Sequence, residues 1–253
     1  MSELNLTVLI ENSAPDALIP EHGLAVHLDY KGRFLLLDAG QTGAALVNAE
    51  RLGVDLSTVT EAFLSHGHFD HADGLDVFFA LNKTAPVYAR THVVDECYSG
   101  ERYIGVNPLL FKRYPARFDL ADQPRQIGEG VWVIPDAVDH EQSLVLKTEG
   151  GLVILNSCCH AGADHVVESV LEHLPGRKVR ALIGGFHLMG KGGVTTLGPT
   201  PEEVVALGHR LFHELGVEQV WTGHCTGSPA FELLRNTYPQ FVSALTSGLK
   251  LSF

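Results

Sequence analysis

The chain has 253 residues, 45% of them hydrophobic and 19% charged, which suits a folded globule with a sizeable core in one large domain or two small ones. A net charge of −12 speaks against a nucleic-acid backbone or an anionic membrane as the main partner, although bound dications would reverse the local field around a phosphorylated small substrate. The four cysteines, Cys97, Cys158, Cys159 and Cys225, form no C-x-x-C pair, and neighbours on a strand point to opposite faces, so neither a zinc ribbon nor a Cys158–Cys159 bridge is expected and a reduced, cytoplasmic protein is the default.

Met1-Ser2-Glu3-Leu4-Asn5 opens directly into a strand-like run, without a basic segment followed by an apolar one, and no apolar stretch nears the roughly 20 residues of a membrane span. Leu4 to Ile10 and Leu24 to Tyr30 are predicted strands. Lys31-Gly32 turns into Arg33 to Leu37, a nearly continuous apolar strand that ends at Asp38-Ala39-Gly40. Thr42 is placed to cap a helix through Ala44 to Leu52, stopped by Gly53. Ala62 to Leu64 is a short buried strand, and it feeds Ser65-His66-Gly67-His68-Phe69-Asp70-His71. Imidazoles and a carboxylate packed this densely would compete for protons without a cation, and they are the donors that Zn, Mn or Fe prefer. H-x-H-x-D-H is far more specific than a lone pair of histidines. Gly74 to Leu81 is helical, with Asp76 in the first turn where the dipole favours negative charge.

After a short strand at Pro86 to Ala89, residues 91–126 are less regular and hold Tyr98, Arg102, Tyr103, Phe111, Lys112, Arg113, Tyr114, Arg117 and Arg125. This is the expected lid or substrate-binding insertion; an ordinary surface excursion with packed aromatics is the plain alternative. A second series follows: strands at Val131 to Ile134, Ser143 to Lys147 and Leu152 to Leu155, the last ending at Asn156-Ser157-Cys158-Cys159-His160, then a helix over Asp164 to Leu174. Ala181 to Ile183 runs into Gly184-Gly185-Phe186-His187. Pro201 to Leu215 is a strong helix, with Thr200 as cap and Glu202-Glu203 in its first turn. Gln219 to Trp221 delivers Thr222-Gly223-His224-Cys225-Thr226-Gly227, and Pro229 to Asn236 is a further helix. No Pro-, Gly- or Ser-rich linker divides the chain. Both halves run strands first and then strand–helix alternation, so the expected architecture is α/β (α+β), a four-layer αββα sandwich within a single domain over 1–253.

Five strand ends carry a ligand-type residue: Asp38, the His66–His71 cluster, His160, His187 and His224. Strand ends on one sheet edge can converge, which is how metal sites are assembled from distant segments. On these landmarks, in this order, the chain resembles the metallo-β-lactamase-fold hydrolase superfamily over essentially its whole length. The resemblance implies that His66, His68 and His160 hold one metal and Asp70, His71 and His224 a second, with Asp38 orienting a ligand histidine from behind. It implies one or two divalent ions, zinc first, with Mn or Fe as alternatives.

Glu21-His22-Gly23-Leu24, His140-Glu141-Gln142-Ser143, Cys159-His160-Ala161-Gly162, Gly184-Gly185-Phe186-His187-Leu188 and Gly223-His224-Cys225-Thr226-Gly227 further resemble the branch labelled with 7,8-dihydropterin-6-yl-methyl-4-(β-D-ribofuranosyl)aminobenzene 5′-phosphate synthase, an enzyme of methanopterin biosynthesis. One departure stands out. Many superfamily members carry a metal-bridging aspartate after the late strand, where Gly185-Phe186-His187 stands here, and an imidazole cannot bridge two ions with one lone pair. The readings for His187 are metal ligand, oxyanion binder, general acid, or a structural histidine beside the site.

Other residues carry weaker signals. His22 and His140 are equally compatible with the mouth of a site and with ordinary turns. His209 and His213 are four apart on a helix without H-E-x-x-H and read as an exposed face; His27 alternates inside a strand and reads as structural. Cys225 reads as a small buried filler, because no histidine is left over as a dedicated base. Lys191-Gly192-Gly193 lacks the G-x-x-x-x-G-K-[ST] pattern, so a P-loop is rejected.

The expected function is a metal-dependent hydrolase in which a metal-bound hydroxide attacks phosphorus or carbonyl carbon, Asp70 orients the nucleophile, and a second metal or His187 stabilises the oxyanion. A phosphoester or cyclic phosphate is preferred as substrate, with Arg102, Lys112, Arg113, Lys191 and His22 as candidate anchors. The alternatives are a lactonase or thioesterase of the same fold, and a non-hydrolytic iron redox or metal-sensing protein. The expected partner is a small molecule, with no nucleic acid and no membrane; self-association into a homo-oligomer is left open.

Overall fold

The computed structural model describes residues 3–138 and 140–253. Leu4–Ile10, Ala25–Tyr30 and Arg33–Leu37 pair antiparallel, the last two joined by Lys31 and Gly32, both at positive φ as a tight two-residue hairpin turn requires. Glu61–Phe63, Val87–Ala89 and Phe118–Leu120 then extend the sheet in parallel from Arg33–Leu37, and Lys250–Ser252 pairs with the far edge, giving seven strands. Helices Ala44–Leu52 and Leu75–Leu81 turn Ala45, Ala49, Leu75, Phe78 and Phe79 onto Leu36, Ala62 and Val87. These elements make one compact unit, reaching Asp122 and including Thr246–Phe253; Gln123–Leu245 makes a second.

The second unit repeats the plan. Arg125–Gly128, Val131–Pro135, Gln142–Thr148 and Gly151–Leu155 pair antiparallel, and Val179–Gly184, Val220–Thr222 and Val242–Ala244 follow in parallel. Helices Ala163–His173, Pro201–His209 and Ser228–Thr237 contribute Val166, Val167, Val170, Val204, Ala230 and Leu234 to a core with Val145, Ile154, Leu182 and Val220. In both sheets the central strands are buried on both faces: Leu35, Leu36 and Leu37 are all buried, as are Val153, Ile154 and Leu155. That explains why they read as continuous apolar runs rather than as alternations. The fold class is mixed α/β with two large helix-flanked sheets, in line with the strands-first pattern of each half. Among the described residues no helix is long and apolar enough to cross a membrane.

Local differences have local causes. Thr200 and Glu203 form the reciprocal capping box, but the helix they start widens at its end, where the Leu215 N–H reaches back to the Arg210 carbonyl. Thr42 accepts from the Ala44 N–H at 3.1 Å, while its own hydroxyl is held by Glu21. Residues 91–126 are more built-in than their composition suggests. They supply an edge strand of the first sheet, bury Val93, Val106 and Leu110, and pack Phe111, Tyr114 and Phe118 onto the first core, whereas Arg125 and Gln126 already belong to the second sheet.

Candidate metal centre

Parallel strands share a direction, so in the first unit Leu37-Asp38 and the His66–His71 motif leave the sheet at the same edge, the usual ligand-binding edge of such sheets. His68 precedes a single helical turn, Phe69–Ala72, that carries Asp70 and His71. Asp38 is buried and adopts φ 52°. Among the described residues, four of the five non-glycine residues at positive φ are Asp38, Cys159, His187 and His224, all in turns after strands, where the surroundings impose a backbone conformation that is otherwise sparsely populated.

Proton accounting starts from Asp38. It accepts from the Ser65 N–H at 2.8 Å, from the Ser65 hydroxyl at 2.7 Å and from His71 Nδ1 at 2.8 Å. His71 therefore keeps its proton on Nδ1 and presents Nε2 as an acceptor. The Ser65 hydroxyl, having given its proton to Asp38, accepts from His66 Nδ1 at 2.9 Å, so His66 also presents Nε2 as an acceptor. His71 Nε2 lies 3.5 Å from Asp70 Oδ2, acceptor against acceptor. His66 Nε2 lies 2.9 Å from His68 Nδ1, and His68 Nε2 lies 3.5 Å from the Cys97 sulfur. If His68 used Nδ1 as a donor atom, its Nε2–H would be left to donate to Cys97. The Nε2 atoms of His66 and His71 are thus left as acceptors, the latter 3.5 Å from the Asp70 carboxylate, and donors of these types suit a divalent transition metal.

The surroundings hold this cluster. Phe69 N–H donates to the Ile104 carbonyl at 3.0 Å, Asn107 N–H donates to Asp73 at 2.8 Å, and His68 pairs with Gly105, so the stretch from Cys97 to Asn107 braces the motif. His22, half-exposed, places Nε2 3.3 Å from Asp70 Oδ2. Gly23 beside it has φ 142°, and a Cβ there would sit 2.1 Å from the Asp70 carbonyl oxygen. Gly23→Ala is accordingly expected to destabilise the fold by about 2–4 kcal/mol and to displace Asp70, read as a lower urea midpoint with a loss of metal affinity.

The candidate anchors separate. Arg102 lies over the Phe69 ring at 5.2 Å, beside the motif. Arg113 is engaged with Asp76 at 3.1 Å in an exposed pair, Lys112 is exposed on the helix Pro108–Arg113, and Lys191 is exposed in the turn between Met189–Gly190 and Gly193–Leu197. Arg117 donates to the Asn82 and Ala85 carbonyls and is part of the scaffold.

In the second unit His160, His187 and His224 also follow parallel strands. Glu141, fully buried, accepts from His160 Nδ1 at 2.9 Å, from the His160 N–H at 2.6 Å and from the Cys158 N–H at 3.0 Å. Burial alone would raise its pKa, but the hydrogen bond and charge of His160 and the two backbone N–H groups override this and hold it below the ordinary carboxylate range. Glu141 thereby leaves His160 with Nε2 as its acceptor nitrogen, in the same way that Asp38 leaves His71. The sequence places Glu141 in a motif without a role; the signal was an acid one residue ahead of a buried strand, where only a partner would keep it. Ser65 and Cys97 were missed likewise. The His140 and His187 rings lie 4.9 and 4.4 Å from that of His160, and His224 is buried in the turn after Val220–Thr222. Burial raises the Cys225 thiol, yet hydrogen bonds from the Cys158 and His187 side chains and the nearby imidazole charges bring it down to about 6. His209 and His213 lie apart on an exposed helix end, ring to ring at 5.1 Å.

The model of the metallo-beta-lactamase superfamily matches residues 19–172. The chain belongs to that superfamily. The metallo-beta-lactamase fold recurs in its structural neighbours. The crystal structure of a metal-dependent hydrolase of the beta-lactamase superfamily superposes with a TM-score of 0.82 at 27% identity, covering 99% of both chains. A diphosphatase from the PhnP family shares the fold at a TM-score of 0.63 and 19% identity, covering 99% of this chain and 98% of the other. In sequence, the 7,8-dihydropterin-6-methyl-4-(beta-D-ribofuranosyl)-aminobenzene-5'-phosphate synthase of Methanocaldococcus jannaschii is 24% identical over 274 residues, covering 92% of this chain and 90% of that protein. Members of the superfamily typically bind divalent metals, and several groups of His, Cys, Asp and Glu side chains in this chain bring their donor atoms within 4.8 Å of one another.

Proposed function

We propose that this chain is a metal-dependent hydrolase of a small phosphoester or cyclic phosphate. The observation that carries the reading is the proton order around Asp38, which leaves the Nε2 atoms of His66 and His71 as acceptors, the latter 3.5 Å from Asp70 Oδ2. The candidate ligands are His66, His68, Asp70 and His71 in the first unit and His160 and His224 in the second. A divalent metal, zinc before manganese or iron, would supply a Lewis acid and lower the pKa of bound water to near 7. The residues do the rest. Asp38 and Glu141 keep ligand nitrogens aimed and deprotonated. Asp70 orients the attacking water, and His22 and Arg102 flank the motif as contacts for an anionic substrate. The phosphate preference is supported by a curated relative whose name carries a ribofuranosyl 5′-phosphate, and hydrolysis by the metal-dependent hydrolase at 27% identity.

Protein stripped by chelation and reloaded with Zn²⁺ or Mn²⁺ is expected to hydrolyse bis(p-nitrophenyl) phosphate and to lose that activity when chelator is returned. Turnover of lactones or thioesters, with none of the phosphodiester, would replace the phosphate assignment by the lactonase or thioesterase one. Redox-active iron with no turnover of any of them would overturn the hydrolase reading.

A further inference from the structure

Three neighbouring parallel strands of the second unit, Gly151–Leu155, Val179–Gly184 and Val220–Thr222, each end in a turn that brings one soft or borderline donor: Cys158, His187 and Cys225. The three donor atoms lie within 4.8 Å of one another. The turns are tied together. Gly185 N–H donates to the Ser157 carbonyl at 2.8 Å, Phe186 N–H donates to Thr226 Oγ1 at 2.9 Å, and the Cys225 thiol faces the Cys158 carbonyl at 3.7 Å. A Cβ at residue 185 would stand 2.5 Å from the Cys225 sulfur, so the glycine makes room for that sulfur against the backbone. His187 is held at φ 48°. Both thiols are buried, whereas His187 is exposed, so a cation arriving from solvent meets the imidazole first.

We propose that Cys158, Cys225 and His187 form a binding site for a thiophilic transition-metal cation of the zinc class. Small buried fillers would account for the two cysteines, but not for an imidazole whose nitrogen is brought within reach of both sulfurs. Tetrahedral zinc at about 2.3 Å from each sulfur needs the sulfurs about 3.8 Å apart, which the existing spacing reaches with side-chain adjustments of about 1 Å. Thiolate donors select Zn²⁺, Cd²⁺ or Cu⁺ over Mn²⁺ or Mg²⁺, and binding releases the two thiol protons to solvent. Three protein ligands leave a fourth position for water or an incoming donor. The assignment gives His187 the ligand role; Cys158 also lies within 4.8 Å of His160 and His224, candidate ligands of the hydrolase reading, and the test separates the two.

The test is a Cd²⁺ titration of reduced, metal-depleted protein, followed by the ultraviolet thiolate-to-cadmium charge-transfer band. The band is expected in the wild type and in H66A/H68A, and is expected to be lost in C225S and C158S and weakened in H187A. In the unmutated protein Cd²⁺ is also expected to protect Cys158 and Cys225 from alkylation, mapped by peptide mass spectrometry, which needs no variant to fold. No band in the wild type, an unchanged band in C225S, or no protection of these cysteines would overturn the site. Phosphodiesterase activity of the same proteins reports separately on the hydrolase reading, because H66A/H68A is expected to lose turnover and keep the band.

Discussion

Asp38→Asn is expected to fold and yet bind its metal roughly 10- to 100-fold more weakly than the wild type. The side chain keeps its size, so the strand end at Leu37 keeps its packing. The chemistry fails instead. Asp38 Oδ2 accepts from both the Ser65 hydroxyl and His71 Nδ1, and Oδ1 accepts from the Ser65 N–H. An asparagine amide has one oxygen acceptor and one NH₂ donor, so in one orientation its NH₂ faces the Ser65 N–H, and in the other it faces the Ser65 hydroxyl and His71 Nδ1, which would have to give up their donor roles. The proton order on Ser65, His66 and His71 must then rearrange, and ligand nitrogens become donors. Asp38→Ala removes all three acceptor contacts from a buried site and is expected to cost about 3 kcal/mol as well. Zinc competition against a chromophoric chelator measures the first effect and urea unfolding of metal-free protein the second. An asparagine variant with wild-type affinity would break the link from Asp38 to the ligand set.

Glu141→Ala is expected to be the most damaging single change in the second unit. It strands the buried Cys158 N–H, the His160 N–H and the His160 ring proton together, because Glu141 accepts from all three. Each buried donor left unsatisfied costs about 1–3 kcal/mol, so a loss of about 3 kcal/mol or more is expected, along with the orientation of His160. Glu141→Gln keeps one acceptor and is expected to fall between alanine and wild type. The check is the urea midpoint of both variants without metal. If alanine unfolds with the wild-type midpoint, Glu141 does not hold the Asn156–His160 turn.

Much of the fold was readable because its strands obey simple patterns. Leu35-Leu36-Leu37 and Val153-Ile154-Leu155 are apolar at every position and are buried on both faces. The Thr200–Glu203 capping box marked its helix start outright. The candidate ligands were readable because they sit where apolar runs stop. Side-chain partnerships across long separations were not. Nothing local couples Glu141 to His160, 19 residues on, or Ser65 to Asp38, 27 residues back. The partners of basic side chains were hidden in a related way. A sequence gives the charge of Arg113 and Arg117 but not that one meets Asp76 and the other caps the Asn82 and Ala85 carbonyls. The helical turn Phe69–Ala72 was also hidden, since glycine and histidine before it favour a loop and tertiary bonds to Ile104 and Asn107 stabilise it.

The central claim is that the His66–His71 cluster is built to hold a divalent cation. The direct measurement is metal retained after wild-type protein and His68→Ala are each equilibrated with Zn²⁺ and desalted, quantified by mass spectrometry of the metal. Stoichiometric zinc in the wild type and a clear deficit in the variant, with both proteins folded by circular dichroism, are the predicted results. A folded wild type that retains no metal, or a variant that retains as much, would contradict it.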